Sequence, residues 1–233
     1  MNVNDIKAGI RKSWGYLKHC EVGLVFSNPA PLVASDLFKA IALSDVATYE
    51  EIYLTGLREG QYNIALFDYS FVQFGGADEN SLRYAYYPNP FLGSSTDAVS
   101  ELAELRTYVE DGTILVEDFL HLVADLRSSQ HPPLLRYENS FDQYIDLQHP
   151  CSHLHFGHHA ENRWPLQRIV SPQAFTLLVI KQFYPRFWED CGMMKVGQDD
   201  RTFDELMVLE RQDSRVLPDE FFSEVATRQF YIS

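Results

Sequence analysis

The histidines of this chain are unevenly distributed, and they form its clearest concentration of reactive side chains. Five of the eight fall within the eleven residues from His149 to His159. Imidazole is the one side chain whose ordinary pKa lies near neutrality, so it can serve as an acid, a base or a metal ligand. If this segment is a β-strand, alternation places His153 and His155 on one face and Leu154 and Phe156 on the other. The sequence therefore nominates a site built on two neighbouring imidazoles.

One chemistry for this pair is metal-independent cleavage or transfer of a phosphate ester. Acid–base cleavage of RNA needs one group that removes the 2′-hydroxyl proton, another that protonates the leaving oxygen, and a cation near phosphorus. Arginine suits the last role because guanidinium pairs with phosphate through two hydrogen bonds. We therefore predict a nuclease or phosphodiesterase that acts on RNA or a nucleotide, with no cofactor favoured. The predicted site residues are His153, His155, Arg163, Arg136, Tyr137 and Glu138.

A metal centre is the second chemistry that the same histidines could support. His153 and His155 would provide two nitrogen ligands, with a third from His149 and an oxygen from a carboxylate, a set suited to zinc or non-haem iron. A His-x-His pair is weak evidence by itself, and no HExxH motif accompanies it. The other candidate ligands are the imidazoles of His158 and His159 and the carboxylates of Glu138, Asp142 and Asp146.

Inert structural roles are the alternative to both chemistries. His149, His158 and His159 are typical of histidines in solvated loops, where they need no function. His153 and His155 could be a hydrogen-bonded pair inside the protein, because buried polar groups are normally satisfied in this way. The histidine segment alone does not separate these three hypotheses.

The cysteines and tyrosines indicate less chemistry. Cys20, Cys151 and Cys191 are far apart and include no CxxC pair, which predicts reduced thiols rather than disulfides or a thiolate zinc site. Cys151 would share a strand face with His153, but no third group that could orient a Cys–His nucleophile is evident. The tyrosines within residues 82–87 are more typical of packed sheet aromatics than of a base-stacking platform.

Composition narrows the class of protein. A chain of 233 residues with 45% apolar content can bury a large core in one domain. The formal charge of −14 argues against broad, non-specific adhesion to DNA or to anionic membranes. The chain contains no apolar run of about eighteen residues, and its first residues lack a signal-peptide pattern. These features predict a cytoplasmic protein that does not bind membranes.

Helical periodicity dominates both ends of the chain. Residues 5–19 form an amphipathic pattern after Asn4, a second helix is expected after Ser35, and the Thr48–Glu51 capping box predicts a third that stops before Gly60. Ser171 followed by Pro172 predicts the start of a buried helix that closes at Phe183 and Tyr184. Further helices are predicted at residues 98–110, 115–128, around 203–209 and 218–228.

Strand character occupies the middle of the chain. Residues 62–74 and 82–87 are rich in aromatic and β-branched side chains and are joined by a short glycine-containing connection, which predicts antiparallel neighbours. Three more strands are predicted at 134–139, 151–157 and 163–170. Strands and helices occur in runs without strict βαβ alternation, which favours an α+β fold with a mostly antiparallel sheet of about five strands.

The predicted organisation is a single α+β domain over residues 1–233. It comprises a helical N-terminal part (1–60), a sheet-containing core (62–185) and a C-terminal helical appendage (198–233). N-terminal, middle and C-terminal helices flank the sheet. No internal repeat or low-complexity linker indicates a domain boundary.

Three segments together resemble an uncharacterised bacterial family of domains of unknown function. They follow the pattern HPxSHLHxG…RWP…SPxAF, carried here by residues 149–157, 163–165 and 171–175. The stretch from Leu82 to Phe91 is similar to the Arg-Tyr-x-Tyr-Tyr-Pro-Asn-Pro segment of that family. The resemblance spans residues 65–185 and implies no particular activity.

A second resemblance covers less of the chain. Arg136-Tyr137-Glu138 followed by His153 and His155 is similar in outline to small toxins of bacterial toxin–antitoxin pairs, which carry Arg-Tyr-Asp and clustered histidines and act on RNA. Glu138 replaces the aspartate of that pattern, and the spacing differs. The resemblance implies a role in a bacterial defence or toxin system. A non-catalytic acidic subunit of such a system, an accessory or immunity component with a protein partner encoded nearby, is the alternative.

Overall fold

A seven-stranded antiparallel sheet organises the computed structural model, which describes residues 1–92, 104–115, 118–119, 122, 132–158, 162–196 and 200–228. Within these residues every strand pairs with the next one along the chain, so the sheet is a simple meander. The strands are β1 (Gly23–Phe26), β2 (Ile64–Leu66), β3 (Phe71–Asp78), β4 (Ser81–Tyr87), β5 (Leu135–Ser140), β6 (Ser152–Phe156) and β7 (Trp164–Pro165).

Helices occur before the first strand, between strands and after the last strand, which confirms the predicted α+β class. They are α1 (Val3–His19), α2 (Asp36–Ala42), α3 (Tyr49–Arg58), α4 (104–110), α5 (Pro172–Phe183), α6 (Pro185–Gly192), α7 (Phe203–Asp213) and α8 (Glu224–Thr227). None of the described helices is long and apolar enough to cross a bilayer. Predicted helical residues 98–103 and most of 115–128 lie outside the described residues.

Polar side chains set most helix starts as the sequence predicts. Ser35, Thr48 and Ser171 each accept a hydrogen bond from a backbone amide in the first turn of the following helix. The predicted start of α1 is wrong by two residues. Asn2, rather than Asn4, caps that helix and exchanges reciprocal capping-box hydrogen bonds with Asp5, because Asp5 then stands at the third helical position.

The strand boundaries differ more from prediction. The run at 62–74 is divided by a turn in which Tyr69 has a φ of 64°, and β3 continues through two glycines to Asp78. The predicted strand 163–170 contracts to Trp164–Pro165. β1 was not predicted, nor was α6, which begins at Pro185 directly after α5. Helix 218–228 shortens to α8, because turns occupy the residues before it.

Apolar cores lie against both faces of the sheet. On one face, Tyr84 of β4 and Tyr137 of β5 pack with Phe175 of α5, and α1 and α7 contact α5 there. On the other face, Tyr87 of β4 packs with Phe38 of α2, in a smaller cluster that also includes residues of α3. Burial on both faces gives the central strands a fixed register, because a one-residue slip would exchange the two faces.

A buried hydrogen-bond network secures the turn between β2 and β3. The Asp68 carboxylate accepts hydrogen bonds from the backbone amide and hydroxyl of Ser70, both at 3.0 Å, and from the Tyr184 hydroxyl at 2.9 Å. The Tyr184 and Tyr86 hydroxyls lie 3.0 Å apart, and Asn89 donates its side-chain amide to the Asp68 carbonyl. Burial raises the pKa of Asp68, although the Tyr184 and Ser70 hydrogen bonds partly offset this. The network joins the sheet to the end of α5.

Replacement of Tyr184 by phenylalanine should destabilise the protein by about 1–3 kcal/mol, because a buried carboxylate loses a donor. Chemical denaturation measures this directly. The matched control is Tyr108→Phe, since the Tyr108 hydroxyl donates to Glu104 at the exposed surface. That change should cost less than about 0.5 kcal/mol, and equal losses in the two variants would show that the network contributes no special stability.

Candidate functional site

Cross-strand register brings the candidate residues onto the sheet face that carries α2 and α3. Arg83 of β4 lies directly opposite Glu138 of β5, and Glu138 lies opposite His153 of β6. In the adjacent row, Arg136 lies opposite His155. Because side chains alternate along each strand, these five residues project from the same face. This confirms that His153 and His155 share a face.

The imidazoles and the carboxylate form a close cluster, which we call the Glu138–His153–His155 cluster. One potential ligand atom from each residue lies within 4.8 Å of those of the other two. The His153 and His155 rings stand 4.7 Å apart between centroids, nearly edge to face. His149 joins from the loop before β6, with its ring 5.0 Å from that of His153. Among the described residues, this is the one group of histidine, cysteine and carboxylate side chains close enough to hold a metal ion.

Burial of His153 is the unusual property of the cluster. Its side chain is 0% exposed and that of His155 is 5% exposed. Neither ring nitrogen of His153 makes a hydrogen bond of normal distance and angle among the described residues, although the Pro150 backbone lies near enough to raise its pKa, and Nδ1 of His149 likewise makes none. An unsatisfied buried polar group costs roughly 1–3 kcal/mol, so such groups call for a physical reason.

Two guanidinium groups accompany the single carboxylate. Arg83 Nε lies 3.3 Å from a Glu138 oxygen, with the Arg83 side chain 62% exposed and that of Glu138 only 13% exposed. Arg136 Nε is buried and has no hydrogen-bond partner within the described part of the chain. Burial alone would raise the pKa of Glu138, but Arg83 and Arg136, helped by the histidines, lower it below its ordinary value. Glu138 is therefore an anion at neutral pH.

The histidine environment favours neutral imidazole. Burial, reinforced by His155 and His149 and opposed by Glu138 and the Pro150 backbone, lowers the pKa of His153 to about 4. At neutral pH the His153 ring carries no charge, and one of its nitrogens then has a lone pair available as an acceptor or ligand.

Cavities flank the cluster on both sides. One, of about 290 Å³, is lined by Arg83 and Glu138. The other, of about 270 Å³, is lined by Arg163 and by Pro165, which lies opposite His153 in the sheet. Neither is lined by His153 or His155. The imidazoles therefore lie beneath the surface, between two hollows.

The structure brings together four of the six predicted site residues. His153, His155, Glu138 and Arg136 lie in adjacent rows, whereas Arg163 lines the second cavity just before β7. The prediction of Tyr137 at the site is wrong in position. Alternation places Tyr137 on the opposite sheet face, where its hydroxyl lies 3.1 Å from Ser152 Oγ and accepts a hydrogen bond from the Val170 amide.

Several other expectations about this segment require correction. His149 packs against His153 instead of lying in solvent, and the His158 ring is half-buried, 5.6 Å from the Tyr49 ring. His159 lies outside the described residues. Cys151 belongs to the apolar core, and burial raises the pKa of its thiol to about 12, which disfavours a nucleophilic thiolate.

Two of the predicted alternative carboxylates stand apart from the cluster. Asp142 is exposed, and Asp146 accepts hydrogen bonds from the hydroxyls of Tyr144 and Ser223. Arg83 was not assigned to the site from sequence. Its position opposite Glu138 identifies Arg83 as a site residue, and this position is known only once β4 and β5 are known to be neighbours.

Comparison with known proteins establishes the family of the chain. Residues 32–225 match the family described as an uncharacterized conserved protein, DUF2290. The match covers most of the chain, so the protein belongs to this family, in agreement with the resemblance seen in the sequence. Neither a curated protein nor a solved structure matches the chain.

The depressed pKa of His153 predicts a specific pH dependence in protein stripped of metal ions. The folded-state pKa of about 4 lies below the ordinary value of 6.5, so folding favours neutral His153. Its contribution is fully present above pH 6.5 and is lost as the pH falls towards 4, by up to about 3 kcal/mol. Urea denaturation at several pH values should show a shallower loss of stability over this window in His153→Leu than in the wild type. Parallel curves would contradict the depressed pKa.

Proposed function

We propose that this protein is a metal-dependent enzyme whose ion is held by His153, His155 and Glu138. The observation that supports this most strongly is the fully buried His153 ring beside a second imidazole and a carboxylate, with no hydrogen bond of normal geometry to either ring nitrogen among the described residues. Two histidines and a glutamate are the protein ligands of one type of catalytic zinc site, which keeps a position open for water or substrate. Two histidines and one carboxylate also serve non-haem iron.

Burial favours a metal centre over the metal-free mechanism predicted from the sequence. An imidazole that acts as general acid or base must reach the proton that it transfers, and His153 has no exposed surface. A metal ligand would need no such access, because a bound ion would itself meet the substrate. Ligation would also give a His153 ring nitrogen a partner of normal geometry, and the neutral form of histidine is the one that binds metal.

The arginines favour a phosphate ester as the substrate. Arg83 lies opposite the carboxylate ligand on β4, and Arg136 lies two residues before it on β5, so two cations stand near one anion and can also pair with a phosphate. Guanidinium groups match phosphate oxygens in geometry and remain charged at all physiological pH values. The ion would supply a Lewis acid and an activated water. We therefore infer a phosphodiesterase or nuclease activity, and a role in a bacterial defence or toxin system stays a prediction from sequence.

Chelator-treated protein should bind one divalent ion per chain. Isothermal titration with Zn²⁺, Mn²⁺ and, without oxygen, Fe²⁺ should identify the preferred ion, and binding should raise the melting temperature because the ion binds only the folded state. His155→Asn and Glu138→Gln should each weaken binding by more than about tenfold, since even residues that only support ligands have effects of that size.

The matched control for these ligand variants is His19→Asn, which removes a histidine that lies against Phe203 and away from the cluster. It should bind the ion as the wild type does. Absence of binding for every ion tested, or equal loss of binding in His19→Asn, would overturn the proposed metal centre. Circular dichroism of each variant establishes that the fold is retained.

Hydrolysis of bis(p-nitrophenyl) phosphate and of a short labelled RNA tests the proposed activity. Turnover should require the added ion, and Glu138→Gln should abolish it while circular dichroism stays unchanged. Turnover that persists in excess chelator, yet disappears in His153→Leu and His155→Asn, would instead support two imidazoles acting without a metal.

A further inference from the structure

The cavity of about 290 Å³ beside the cluster has its own chemical character. It lies over the sheet face that carries the cluster, between the strand residues and the chain that leads into α2. Glu138 forms part of its wall and belongs to the cluster as well. The cavity therefore adjoins the proposed metal ligands through one shared side chain.

Two cations and one acid line this cavity, in a chain whose net charge is −14. The cations are Lys39 of α2 and Arg83 of β4, and the acid is Glu138. Arg83 pairs with Glu138, so Lys39 is the excess positive charge of the lining. Serine and amide side chains supply most of the remaining polar surface. With two cations and one acid, the lining carries one excess positive charge in a strongly acidic protein, a setting that favours an anion.

Both cations retain the capacity to bind a ligand. Lys39 Nζ lies 3.7 Å from Asp36, whose side chain is fully exposed, so this pair contributes little. Arg83 uses Nε toward Glu138 and makes no second ion pair with another described residue. The planar guanidinium presents five N–H donors in a fixed fork, so its terminal nitrogens can bind two oxygens of a phosphate while Nε stays on Glu138.

Two glycines of β3, Gly75 and Gly76, form part of the cavity wall. Gly75 lies opposite Arg83, so a side chain there would project onto the same face, and its Cβ would stand 3.2 Å from the Leu32 carbonyl oxygen. Gly76 has a φ of 138°, and a Cβ there would lie 2.6 Å from the Ser81 carbonyl oxygen. Glycine at both positions therefore permits close backbone approaches that a side chain would prevent.

We propose that this cavity is the anion subsite of the enzyme and binds a phosphate group of the substrate through Arg83 and Lys39. The proposal rests on the proposed function, since it names the substrate class of the same site. The volume lies at the lower end of the range of about 300–1,000 Å³ for ligand pockets. A single phosphate with its attached sugar fits this scale, so the substrate class is a small phosphate ester, such as a nucleotide or the end of a strand.

Equilibrium binding tests the subsite without depending on turnover. Inorganic phosphate, adenosine 5′-monophosphate and adenosine are titrated into the wild type by calorimetry, with and without the preferred ion. Phosphate and the nucleotide should bind, and adenosine should not. Arg83→Gln and Lys39→Gln should each weaken nucleotide binding by about tenfold or more, because a hydrogen bond to a charged group contributes at least that much. Tighter binding of nucleotide than of phosphate would assign the sugar or base to the subsite as well.

Matched controls remove the same charges elsewhere, Arg58→Gln at the end of α3 and Lys12→Gln on α1, both at exposed positions. These should bind the nucleotide as the wild type does. Arg83→Gln should still take up one metal ion per chain, because Arg83 is not a ligand. Metal binding without any phosphate or nucleotide binding would overturn the subsite and leave the metal centre standing. Nucleotide binding that is equal in Arg83→Gln, Lys39→Gln and the controls would also overturn it.

Discussion

Antiparallel pairing of β4, β5 and β6 is the constraint on which the site depends. The register places Arg83, Glu138 and His153 in one row across three strands, with Arg136 and His155 in the next row. Residues far apart in the chain make all of the contacts between strands. Only Arg136 with Glu138, and His153 with His155, are near each other in sequence. A slip of one residue at either pairing would turn the polar side chains to the opposite face and leave the carboxylate without cations or imidazoles. The same slip would bury the wrong tyrosines, so packing of the two cores enforces the register that the site requires.

The cost of this arrangement is a polar group of side chains inside an otherwise apolar layer. Around it, Phe71, Tyr87 and Leu134 pack against α2 and α3. Simple structural support for the sheet would be served better by aliphatic side chains at 153 and 155, which need no hydrogen bonds. The polar residues are instead shielded from water by the sheet. One cavity lies at the Arg83 end of their row, and another lies at the Pro165 end. Shielding also strengthens electrostatic interactions within the row.

Local sequence signals predicted the helices better than the strands. Capping residues such as Thr48 and Ser171 act within one turn, so their effect is readable without tertiary context. The strand run at 62–74 was predicted as continuous because propensity does not reveal the turn that Asp68, Ser70 and Tyr184 stabilise, and Tyr184 is distant in sequence. The short edge strand β1 carries too few residues to show a period. The alternative that the protein is a non-catalytic subunit with a protein partner remains a prediction from sequence. The single-domain organisation also remains a prediction from sequence.

The sequence by itself determined which residues share a strand face, since alternation is a property of the extended backbone. It therefore established the His153–His155 pair and the separation of Leu154 from it. Only the tertiary structure decided that Glu138 and Arg83 join this pair, that Tyr137 and Cys151 do not, and that the rings are buried. Those outcomes depend on which strands become neighbours and on what packs above them, and both follow from the burial of side chains far apart in the chain.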